Sequence, residues 1–130
     1  MSTLNHITVS GAPEGFDARL VLKELAEARV VCHVARDDKR MAAMAEALAF
    51  FAPDVAVLQF PGWDCLPYDR VSPNADISAA RMATLAGLIH GGPKSFVLLT
   101  TLNAATQRVP ARSVLREASF TARVGDRVDE

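Results

Sequence analysis

The sequence predicts an α/β fold built on an open, mainly parallel sheet with flanking helices. Three observations lead there. Apolar runs of strand length alternate with segments of helical periodicity. The runs "RVVCHVA" (29–35), "VAVLQF" (55–60) and "SFVLLTT" (95–101) are nearly continuous in Val, Leu and Ala, the composition of strands covered on both faces. The connections between them are long enough for crossover helices, as parallel neighbours require.

Taken in order, "HITVS" (6–10) reads as a first, short strand. In the helix after it, Ala18, Val21, Leu22 and Leu25 recur at i, i+3, i+4 and i+7 and share one face. Met41, Met44, Ala45 and Leu48 repeat that spacing, with Asp37 or Asp38 as N-cap. A third helix begins near residues 74–76, carries Leu85, Leu88 and Ile89 on its buried side, and stops at Gly91-Gly92-Pro93. A helical turn follows at 102–107. From Ser119 the pattern turns strand-like, with a Gly125-Asp126 turn and no second arm. This predicts an α/β subdomain over 1–112 and the truncated start of a second one over 113–130, in a chain cut from a longer protein.

Composition narrows the function classes. The formal net charge is −1, which does not suit a protein that coats nucleic acid. No apolar run reaches the roughly 18 residues of a membrane span, and the N-terminus lacks the basic start of a secretory signal. A cytoplasmic location is expected, with Cys32 and Cys65 as free thiols. Arg108, Arg112, Arg116, Arg123 and Arg127 gather near the C-terminus but are mixed with acids, so they read as a solvated face before a DNA patch.

No catalytic, cofactor or metal site emerges. "VSGAPEGFDARLVL" stands where an α/β protein keeps its phosphate loop. Gly11 and Gly15 are present, but Phe16-Asp17 occupy the Lys-Ser/Thr position, and an Asp there repels a nucleotide. The loop is degenerate and no ATP binding is expected. Cys32, His33, Cys65 and His90 match no ligand spacing, and Cys32 reads as a core residue. With the acidic Asp64 beside it and no activating cation, Cys65 reads as a loop residue with a packing role rather than a nucleophile.

The stretch "PGWDCLPYDRVSPNADISAARMATL" (61–85) holds the single Trp and single Tyr. Trp63, Asp64, Leu66, Pro67, Tyr68, Asp69, Ser72, Pro73, Arg81 and Leu85 resemble the signature of the N-terminal, excinuclease B-like module of bacterial transcription-repair coupling factors. Leu102, Asn103, Gln107, Arg108 and Val109 resemble the family's next strand and the segment after it. The resemblance implies the first subdomain of that module, an interaction scaffold that is not an enzyme. The full-length family is an ATP-dependent DNA translocase that acts on double-stranded DNA, displaces stalled RNA polymerase and recruits excinuclease A. It also implies a lost phosphate loop, in line with Gly11 to Asp17. Excinuclease B carries a DNA-gripping hairpin in this region; about a dozen residues between Trp63 and Ile77 are too few for one.

The loop itself is expected to be rigid. Pro61, Pro67 and Pro73 each fix φ. Trp63, Asp64, Tyr68, Asp69 and Arg81 are the candidate interface or structural residues, with Arg81 a partner for Asp69 or Asp76. The loop should sit at the carboxyl edge of the sheet, either packed on its own domain or facing other domains of the parent protein. The rival readings are a nucleotide-binding domain with an atypical phosphate loop and a basic-patch DNA-binding module.

Overall fold

The computed structural model describes residues 6–65, 68, 70, 72–120, 122, 124 and 125. It is an α/β fold. The elements run α1 (Phe16–Glu27), β1 (Val30–Ala35), α2 (Asp38–Phe51), β2 (Ala56–Phe60), α3 (Ala75–Ile89), β3 (Phe96–Thr101), α4 (Leu102–Thr106) and α5 (Arg112–Glu117). The three strands form one parallel sheet in the order β1-β3-β2. The chain thus crosses from β1 past the place of β3 to β2, then returns. With right-handed crossovers, that reversal puts α2 and α3 on opposite faces of the sheet.

One face is mainly apolar. Ala18 and Val21 of α1, and Met41, Met44 and Leu48 of α2, are buried against Ala35, Val97 and Leu99. These helix positions are those of the predicted stripes. Asp37 caps α2, its carboxylate accepting from the Arg40 N–H at 2.9 Å. That bond, with Arg36 beside it, holds the Asp37 carboxyl below its ordinary pKa.

The other face is different. The buried residues of α3 are Arg81 and Thr84, whereas Leu85 and Ile89 are half-buried and Leu88 is exposed. The expectation that the leucines form the core side of α3 is therefore corrected. They turn instead toward α5, which packs on α3 and buries Leu115.

Three further expectations change. Residues 6–10 form no strand and are exposed; the run is too short to bury the area that ordering it requires. β1 is not covered on both faces: Val30 and Val34 are 47% and 50% exposed, and Cys32 between them is exposed rather than in the core. Alternation puts all three on the side away from α1 and α2, and α3 covers β2 instead. Residues 112–117, where the sequence placed the subdomain boundary and no element, form a helix. The strand expected beyond Ser119 lies largely outside the described residues.

Candidate functional site

The carboxyl ends of β2 and β3, the loop after β2 and the short α4 meet at one place, and Arg81 is its centre. Arg81 lies on the α3 stripe that continues through Leu85 and Leu88, and a cation on such a stripe is the one signal in the sequence for what the fold does here. The side chain is 1% exposed. Its guanidinium lies between two aromatic rings, 4.1 Å from the centroid of Phe60 and 4.4 Å from that of Trp63. One terminal nitrogen donates to the Pro61 carbonyl at 2.6 Å and to Gln107 Oε1 at 3.0 Å. Nε is buried without a partner among the described residues. Burial lowers the Arg81 pKa from its ordinary value, yet an arginine stays charged at neutral pH.

The surroundings lock the loop to this cation. The Trp63 N–H donates to the same Gln107 oxygen at 3.1 Å, so one side-chain amide joins the loop, α3 and the chain after α4. Gly62 is buried, and a Cβ there would come within 3.2 Å of Asn103 Nδ2, so glycine lets the loop pass close to α4. Asp64 accepts from the Asn74 N–H at 3.2 Å, closing the loop on itself, while Asn74 caps α3 by accepting from the Asp76 N–H at 2.8 Å. Below, Thr84 donates to the Gln59 carbonyl at 2.6 Å and Thr100 to the Phe60 carbonyl at 2.9 Å. Among the described residues Arg81 Nε is the buried side-chain polar atom without a partner, and the rest of the buried network is satisfied as such a network requires.

Of the five predicted residues, Trp63, Asp64 and Arg81 are brought together. Tyr68 is fully exposed and has φ 77°, a left-handed conformation that a residue with a side chain adopts only at a cost. Asp69 lies outside the described residues. Asp76 lies in the first turn of α3, its backbone N–H donating to Asn74, and the Arg81 contacts are a carbonyl, an amide and two rings rather than Asp76. Phe60, Thr84 and Thr100 were missed: nothing local distinguishes them from ordinary strand and helix residues.

The phosphate-loop position has an acidic lining. A cavity of about 670 Å³ between residues 9–17 and α2 is lined by Glu14, Asp17 and Glu46. Its single cation, Arg40, is 3.3 Å from Glu14. Asp17 accepts from the Ala18 N–H, and the Phe16 N–H donates to the Pro13 carbonyl, so amides at the start of α1 are already engaged. Among the described residues no group of three or more His, Cys, Asp and Glu could hold a metal, and no helix is long and apolar enough to cross a membrane.

Three curated proteins named transcription-repair-coupling factor are similar to this chain. The Escherichia coli K12 protein is 34% identical over 77 residues, 58% of this chain. The chain resembles transcription-repair-coupling factors. The Rickettsia prowazekii relative is 29% identical over 80 residues, 62% of this chain. The Rickettsia bellii relative is 33% identical over 61 residues, 47% of this chain. The matched segment spans only 5–7% of the length of these coupling factors. No family model and no solved structure matches the chain.

Proposed function

We propose that this chain is a non-catalytic scaffold and interaction module from the N-terminal region of a transcription-repair coupling factor. The observation that carries this reading is the use made of the residues that resemble the coupling-factor signature. Trp63, Arg81 and Gln107 are tied to one another by stacking and hydrogen bonds around a buried guanidinium, a use of these residues that is structural rather than catalytic. A constellation of this kind fixes the shape of a loop.

On this reading the α/β unit of residues 1–112 is followed by a second subdomain whose start lies within 113–130. The parent protein displaces stalled RNA polymerase at lesions in double-stranded DNA, driven by ATP, and recruits excinuclease A in nucleotide excision repair. The module supports the neighbouring subdomain and helps hold the motor in check. It needs no cofactor, and it works in the cytoplasm.

The test is ATP hydrolysis and polymerase displacement by the full-length parent with and without this module. Hydrolysis should persist or rise when the module is removed. A folded, DNA-binding parent that loses hydrolysis on its removal would show that the module is part of the catalytic machinery. Calorimetric titration of the 130-residue chain with magnesium and ATP should give no binding heat.

A further inference from the structure

The groove between α3 and α5 combines an apolar floor with charge that is unpaired among the described residues. Leu85, Leu88 and Ile89 form one side, Val109, Pro110 and Leu115 the other, and Arg112 and Arg116 line it as well. Its volume is about 370 Å³, toward the low end of the roughly 300–1,000 Å³ of small-ligand pockets. Such a groove takes a few side chains of a larger partner. Leu88 is 40% exposed and Val109 50%, so the floor is open.

We propose that this groove docks a short acidic amphipathic peptide segment of another polypeptide. The occupant inserts leucine-type side chains between α3 and α5 and presents carboxylates to Arg112 and Arg116. The charge argues for it. The two arginines are four residues apart on α5 and therefore neighbours on one helix face. Neither has an acidic partner among the described residues, where the ion pairs are Arg36–Asp37 and Arg40–Glu14.

The geometry argues for a peptide. Two packed helices offer a groove of the kind that accepts anchors from an amphipathic helix. A nucleic-acid backbone offers phosphates but nothing to cover Leu85, Leu88 and Ile89, so an apolar floor favours the peptide over DNA. The groove shares no lining residue with the Trp63–Arg81–Gln107 cluster, and the proposal stands whether or not the parent is a coupling factor.

The probe is a fluorescein-labelled amphipathic peptide with leucine on one face and glutamate on the other, titrated against the full chain and read by anisotropy. A counterpart with lysine for every glutamate is the control. The glutamate peptide should bind saturably and the lysine peptide much more weakly. The double variant Arg112→Glu/Arg116→Glu should weaken glutamate-peptide binding by about tenfold or more. Leu88→Asp should weaken it independently, while Arg19→Glu on α1 should leave it unchanged. In amide NMR spectra the peptide should shift residues 85–89 and 109–116.

Equal binding of both peptides, or none, would overturn the proposal. So would shifts confined to another face, or displacement of the peptide by a double-stranded oligonucleotide. Because the substituted residues are exposed, a circular dichroism melt separates loss of binding from loss of fold.

Discussion

The two faces of the sheet are held by different physics. Toward α1 and α2 the contacts are apolar: Leu48, Met44, Val97 and Leu99 bury hydrocarbon, and stability there follows the area removed from water. Toward α3 the buried side chains include Arg81, Thr84 and Thr100, each tied to backbone carbonyls at the carboxyl ends of the strands. The apolar face tolerates any residue set of suitable volume. The polar face tolerates few, because a lost partner leaves a buried group unsatisfied. The contrast teaches that one face supplies stability and the other fixes a particular loop shape.

The largest expected effect lies on the apolar face. Leu48 is fully buried, and Leu48→Ala should cost about 2–5 kcal/mol in urea unfolding, with the Trp63 environment in the remaining folded fraction unaltered. A simultaneous change in native tryptophan fluorescence would show that the two faces are coupled.

Next comes Arg81→Ala, expected to cost about 3 kcal/mol by removing a buried side chain from between two rings. Here the native tryptophan emission should shift to the red, since Trp63 loses its stacking partner and Gln107 loses one of its two donors. Arg81→Met sharpens the point. It refills the space and should recover part of the stability, but not the native emission, because the bonds to Pro61 and Gln107 are absent. If Met restores both, the cation serves volume alone and the distinction between the faces collapses.

A smaller loss, about 1 kcal/mol, is expected for Asn74→Ala, which removes the cap of α3 at the point where Asp64 closes the loop. Thermal melts measure it.

The smallest effect is a pH dependence on the apolar face. Burial lowers the His33 pKa below its ordinary 6.5, with Asp17 opposing in part. The unfolded chain therefore binds the proton more readily than the folded one. The contribution is present above pH 6.5 and is lost as pH falls from there through the folded value. Comparing urea midpoints across that window in the unsubstituted chain and in His33→Gln isolates it, and identical slopes would remove His33 as the cause.

How much of this was legible follows the same division. Ala18, Val21, Met41, Met44 and Leu48 announce the apolar face because helical periodicity is a local property, and the three strand runs differ from the observed strands by a residue at one end. The position of Arg81 could be read as a cation on an apolar stripe, but not its burial. That depends on Phe60, Pro61, Trp63 and Gln107, which lie 18–26 positions away in the chain. The exposed side of β1 was misread for a related reason: an apolar strand looks the same whether its second face is covered or not.

The strand order β1-β3-β2 also governs when this sheet can come into being on the ribosome. β3 is the middle strand and the last to be made, and β1 and β2 each pair with it and not with each other. Until residues 96–101 have emerged, the nascent chain carries two apolar strands with no ladder to join. Helices α1 and α2 can form early from local contacts, but the sheet closes only in a single late event. Translation that pauses before Phe96 therefore holds the molecule at its most adhesive, with Val31, Val57 and their neighbours unpaired and in reach of chaperones or of other unfinished chains.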